Sequence, residues 1–214
     1  MKQNVINQID KNKLIVIIRG LTDEQLLPTV SALYEGGVRL VEITFDQSGK
    51  FSNEHIGNQI KLISEKFADK LMVGAGTVMT CEQVDVARKS GALYIISPNA
   101  DEEVIRHSVK CGLVSIPGVL TATEAANAHK WGADYIKLFP AGDIGMSYIK
   151  SLAAPLNHLK MLAVGGVNEN NIADFLSIGI CGVGVGSNIV KKEYIKNGEY
   201  DKITELAKKY TEVI

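Results

Sequence analysis

A lysine stands inside one of the most apolar stretches of the chain, ADYIKLFPA, from Ala133 to Ala141. Tyr135, Ile136, Leu138, Phe139 and Pro140 surround Lys137. Burial disfavours an ammonium unless something compensates it, so such a lysine is pushed towards its free amine. A free amine attacks carbonyls and forms imines. That chemistry needs a group to move protons, and Glu42 in RLVEIT is a lone carboxyl in equally apolar company. Arg19, closing LIVIIR, and Thr77, closing LMVGAGT, could hold a substrate carboxylate, the arginine through its fork of donors. Gly165 and Gly166 in AVGGV, and Gly186 with Ser187 in VGVGS, offer bare backbone to a phosphate. Two plainer readings stand beside these: Lys137 and Glu42 as a structural ion pair, and the glycines as tight turns.

Something must bring these residues together. The strand-like runs LIVIIR, RLVEIT, LMVGAGT, LYIISP, LVSIPG, YIKLFP, LKMLAVGG and CGVGVGS are nearly continuous apolar stretches, as expected of strands covered on both faces. Helical patterns alternate with them. Thr80 with Gln83 and Thr121 with Glu124 fit capping boxes, Asn168 fits an N-cap, and Gly36 or Gly37, Gly91, Gly112 and Gly132 fit helix ends. Eight βα units repeating about every 20–30 residues predict a closed (β/α)8 TIM barrel spanning residues 1–214 as one domain. MKQNVINQIDKNK adds a short helix ahead of the first strand. An open doubly wound sheet is the rival, but no run carries the charges or prolines that blunt an edge strand.

A barrel of this kind builds its site at the C-terminal strand ends. Arg19, Glu42, Thr77, Pro98, Lys137, Phe139, Val164, Gly165, Gly166, Gly186 and Ser187 all fall there. With Lys+Arg 23 against Asp+Glu 24, charge is balanced and suggests neither a nucleic-acid nor a membrane partner. Three separated cysteines read as reduced thiols and packing groups, and the polar N-terminus is unlike a secretory signal, so a cytoplasmic protein is expected. His55, His107, His129 and His158 are expected to lie apart, and no metal is assigned. Lys191, Lys192 and the tail from Tyr200 to Tyr210 read as a solvated helix, and Asp143 as a turn residue.

The ordered set GGVRLVEIT, VGAGTV, ISPN, IPGV, IKLFPA and VGGVN resembles the class I aldolases that cleave 2-keto-3-deoxy-6-phosphogluconate and 4-hydroxy-2-oxoglutarate. The resemblance implies a Schiff base on Lys137, proton transfer by Glu42, carboxylate contact by Thr77, and phosphate binding at the glycine loops and Ser187. It also implies no metal or other cofactor, a small keto acid with a distal phosphate or carboxylate as substrate, and a homotrimer. Two positions depart from many members. Asp46 stands where they carry a carboxylate-binding arginine, a role Arg19 could assume. Val164 replaces a threonine before the paired glycines, a pattern similar to the branch acting on the C4 epimer, 2-keto-3-deoxy-6-phosphogalactonate. A phosphate-binding isomerase or epimerase, and a non-catalytic sugar-phosphate binding module, are the alternatives.

Overall fold

The computed structural model describes residues 2–214. Helix α1 (Lys2–Asn12) precedes strand β1 (Leu14–Ile18), and strands and helices then alternate. They are α2 (Asp23–Glu35), β2 (Leu40–Thr44), α3 (Asn53–Phe67), β3 (Met72–Gly76), α4 (Cys81–Lys89), β4 (Tyr94–Ile96) and α5 (Glu102–Lys110). There follow β5 (Val114–Ile116), β6 (Gly118–Val119), α6 (Ala122–Lys130), β7 (Ile136–Leu138), α7 (Ala141–Ala153) and β8 (Met161–Val164). Helix α8 (Ile172–Ser177), β9 (Gly182–Val185), α9 (Lys192–Lys196) and α10 (Tyr200–Thr211) complete the chain.

All strands pair in parallel, in the order β5-β4-β3-β2-β1-β9-β8-β7-β6. Nine strands appear where eight runs were expected, because Pro117 interrupts the fifth. Proline has no N–H to give a ladder, yet its carbonyl still accepts. The Tyr135, Lys137 and Phe139 amides donate to the Ser115, Pro117 and Val119 carbonyls at 3.2, 2.9 and 3.2 Å. Thus β5 and β6 are two halves of one strand, and β7 closes the barrel against it.

Alternation along the strands explains the unbroken apolar runs. Val16, Ile18, Val41, Ile43, Val73 and Ala75 pack outward beneath the helices. Ile15, Leu40, Tyr94, Ile116, Tyr135 and Leu162 fill the interior together with Val5 and Ile9 of α1. Helix α1 therefore plugs the N-terminal end of the barrel. Tyr135 Oη donates to Asp10 Oδ1 at 2.6 Å, and Lys160 pairs with the other Asp10 oxygen at 2.6 Å.

The helices follow local rules. In α3, Ile56, Ile60, Ile63 and Phe67 form one buried stripe. Thr121 and Glu124 make a complete capping box. Thr80 makes half of one, because the Gln83 side chain accepts from the Met79 amide instead of closing back on Thr80. Asn168 caps a preliminary turn through the Asn170 amide, and α8 begins only at Ile172. Gly37, Gly91, Gly112 and Gly132 have positive φ. Helix α10 is not a merely solvated tail: Ile203, Ala207 and Tyr210 are buried.

Candidate active site

Strands β2 and β7 stand diametrically opposite around the ring, so Glu42 and Lys137 face each other across the interior. Both are buried, at 2% and 7% exposure. Neither forms an ion pair or hydrogen bond among the described residues, although each feels the other's charge. Desolvation raises the Glu42 pKa, with Lys137 and then Arg19 partly opposing the rise. Desolvation likewise lowers that of Lys137, against the pull of Glu42 and with a smaller push from Arg19. The expected partnership is thus long-range. Lys137 Nζ lies 4.9 Å from the Phe139 ring centroid, an apolar neighbour that leaves the nitrogen unbonded.

Small residues make room for the carboxyl. A Cβ at Gly76 would collide with the Glu42 side chain, and one at Gly74 would strike the Tyr94 ring. The glycines of VGAGT therefore hollow out the wall that receives Glu42.

Two cavities open near the C-terminal strand ends; Lys137 and Glu42 line neither, but Phe139 of the Lys137 run lines one and Thr44, on the strand of Glu42, lines the other. The larger, about 390 Å³, is lined by Arg19, Phe139, Val164, Gly165, Gly166, Gly186 and Ser187, all anticipated from the sequence. Its walls also include Val167, Asn188 and Lys192. The amides of Gly166, Val167, Ser187 and Asn188 donate to no carbonyl or side chain among the described residues. Gly165 and Gly166 have φ of 85° and 73°, so their turn needs the freedom of glycine. Four free amides converging on one hollow make an anion cradle, and Lys192 adds a cation at its rim.

The second cavity, about 270 Å³, is lined by Arg19, Thr44, Asp46, Gln47, Lys50 and Thr77, among others. Arg19 Nη2 donates to Thr77 Oγ1 at 3.3 Å, and Gln47 Nε2 donates to the Thr77 carbonyl at 3.0 Å. Thr77 has φ 53°, a left-handed backbone that strains a β-branched residue by about 1–3 kcal/mol. Thr44 Oγ1 is the buried side-chain oxygen without a hydrogen-bond partner among the described residues. Asp46 lines this cavity but commits its oxygens to its own loop. It accepts from the Phe51 amide at 3.0 Å, the Ser48 hydroxyl at 2.8 Å and the Ser48 amide at 3.1 Å, and these bonds hold its pKa at about 2.

Pro98 lines neither cavity; its carbonyl packs against Gly118. Thr44, Gln47, Lys50, Asn188 and Lys192 were not anticipated as site residues. Only Thr44 had a usable signal, lying two residues beyond Glu42 and so on the same strand face. Asp143 sits in the first turn of α7, outside both cavities.

The histidines are less scattered than expected. His129 and His158 meet with ring centroids 5.3 Å apart. His129 ends α6 and His158 precedes β8, and in a βα barrel helix ends and strand starts share one end. No helix among the described residues is long and apolar enough to cross a membrane.

The sequence model of a family described as KDPG and KHG aldolase, where KDPG is 2-keto-3-deoxy-6-phosphogluconate, matches residues 5–206. The 2-dehydro-3-deoxy-6-phosphogalactonate aldolase of Escherichia coli K12 is 35% identical, covering 95% of this chain and 97% of its own. The 2-dehydro-3-deoxy-phosphogluconate aldolase of Treponema pallidum is 29% identical, over 98% and 97%. Among solved structures, a KDPG aldolase of Legionella pneumophila superposes with a TM-score of 0.83 at 30% identity, covering 92% of this chain and 93% of that one. That crystal holds pyruvate as a covalent carbinolamine intermediate.

Proposed function

The chain belongs to the KDPG and KHG aldolase family, class I aldehyde-lyases, and on that premise we propose that it cleaves a 2-keto-3-deoxy-6-phospho-sugar acid to pyruvate and glyceraldehyde 3-phosphate. The carrying observation is the pair of buried, unbonded ionisable groups, Lys137 and Glu42, together with two neighbouring cavities that share Arg19, one bearing Thr77 and Thr44 and the other a cradle of free amides. A substrate with a carboxylate at one end, a phosphate at the other and a ketone between matches that set of groups. The room beside the cradle favours a phosphate over the shorter, unphosphorylated 4-hydroxy-2-oxoglutarate.

In this reading the Lys137 amine adds to the C2 ketone, giving a carbinolamine. Glu42 donates the proton with which hydroxide leaves as water, and the iminium remains. Glu42, now ionised, takes the proton of the C4 hydroxyl as the C3–C4 bond breaks. The aldehyde departs, and the bonding electrons pass to the iminium as an enamine. Protonation at C3 and hydrolysis release pyruvate and restore the amine. Arg19, with Thr77 and Thr44, holds the carboxylate, and the amides of Gly166, Val167, Ser187 and Asn188 take the phosphate.

The galactonate epimer is the preferred substrate in this proposal. Val164 presents no hydroxyl to the cavity wall, which supports the branch that lacks a donor there. A homotrimer working in the cytoplasm completes the reading; sedimentation as a monomer at micromolar concentration would remove the trimer. Incubation with pyruvate and borohydride should fix a reduced adduct on Lys137. An unmodified Lys137 peptide, or an adduct that persists in Lys137→Ala, overturns the assignment.

A further inference from the structure

On the outer layer, away from the interior chemistry, helices α4 and α5 bring three metal-ligating side chains together. Asp85 lies on α4, His107 lies on α5, and Cys111 caps the end of α5. Their ligand atoms all fall within 4.8 Å of one another. His107 Nε2 is 2.8 Å from Asp85 Oδ1 and 3.8 Å from Cys111 Sγ. His107 and Cys111 are four residues apart, so they share one helix face, and Asp85 meets them from the neighbouring helix.

A proton on Nε2 serves this arrangement poorly. It can bond well to the carboxylate, and it leaves the sulfur at the margin of contact. A cation in its place would bind all three at once. Zinc bonds of about 2.0–2.2 Å to nitrogen and oxygen, and about 2.3 Å to sulfur, set donors roughly 3.3–3.7 Å apart in a tetrahedral site. Side-chain shifts of about an ångström reach that geometry. One nitrogen, one carboxylate oxygen and one thiolate form a donor set that zinc accepts, while magnesium and calcium favour oxygen alone.

We propose that Asp85, His107 and Cys111 form a zinc site joining α4 to α5, with water in the fourth position. Binding displaces the thiol proton of Cys111 and any proton on Nε2. The site is independent of the aldolase reading.

Chain stripped by a chelator should take up one zinc per chain in a competition titration with a chromophoric chelator. Cobalt in place of zinc should give thiolate-to-metal charge-transfer absorption. His107→Ala and Cys111→Ser should each weaken zinc binding by at least about 100-fold, and Cys111→Ser should remove the cobalt absorption. His129→Ala and Cys181→Ser should leave stoichiometry and absorption unchanged. The absence of saturable zinc binding overturns the proposal, as does binding undiminished in His107→Ala and Cys111→Ser. Asp85→Asn supplies a third ligand variant should either of those fail to fold.

Discussion

The two ends of the barrel interior treat buried polar groups in opposite ways. At the end plugged by α1, the buried tyrosine hydroxyls have partners, and the half-exposed charges around them are paired. Tyr94 Oη donates to the Val41 carbonyl at 2.6 Å, and Tyr135 donates to Asp10, which Lys160 also holds. Asp134 accepts from the Ser115 amide at 2.9 Å and pairs with Lys2 at 2.9 Å. At the open end, Glu42, Lys137 and Thr44 are buried without partners. A satisfied group contributes to stability, and an unsatisfied one is costly unless a ligand completes it. The difference separates the part of the interior that holds the fold from the part that, in the proposed reading, receives substrate.

Removal of the unsatisfied amine tests this most severely. Lys137→Met should lower turnover by about 10⁴-fold or more in a pyruvate-release assay. It should also raise the thermal midpoint, by roughly 2–4 °C per kcal/mol of relieved desolvation. A lower midpoint would mean that Lys137 supports the fold and would erase the contrast.

Glu42→Gln comes next, with a loss of about 10²–10⁴-fold in turnover. Its pH signature follows from the direction of the shift. The folded pKa of Glu42 lies above its ordinary 4.5, so between those values the folded chain holds the proton that the unfolded chain has released. Stability from this group is therefore present below pH 4.5 and is lost as pH rises through the folded pKa. Lys137 acts the other way: its folded pKa lies below 10.5, and stability returns as pH climbs towards 10.5. Denaturant titrations of Glu42→Gln across pH should show the acidic-side decline flattened. An unchanged profile would sink the argument.

At the plugged end, Asp10→Ala should cost about 1 kcal/mol of stability, because the Tyr135 hydroxyl keeps only its longer bond to the Ile6 carbonyl and Lys160 loses its partner. Its kcat should stay within about twofold, since Asp10 lies outside both cavities. A collapse of kcat with stability intact would show that the two ends are not separable. Val164→Thr is the mildest change. It should move the gluconate-to-galactonate ratio of kcat/KM by about 1 kcal/mol, near fivefold, towards gluconate.

Lys137, Glu42 and the glycine pairs were legible because their oddity is local: a charge in an apolar run, or bare backbone at a strand end. The barrel was legible because its strands are apolar on both faces. Other features depend on partners distant in sequence. That Lys137 and Glu42 face each other without touching follows from strands four places apart in a closed ring. Asp46 is committed to the Ser48 and Phe51 amides, which only the loop's path reveals. The break at Pro117 could have been anticipated, since proline cannot donate to a ladder. The meeting of His129 with His158 follows from helix polarity, whereas the Asp85, His107 and Cys111 cluster needs the packing of α4 on α5.

Helix α1 has a reach longer than its contacts. With Val5 and Ile9 packed against Ile15, Leu40, Tyr135 and Leu162, it keeps the interior beneath Lys137 dry. A chain trimmed of residues 2–12 would let moisture wick up from beneath, and hydration would restore the ammonium that dryness suppresses. In this molecule the charge state of the Lys137 nitrogen is set partly by a helix at the far end of the barrel.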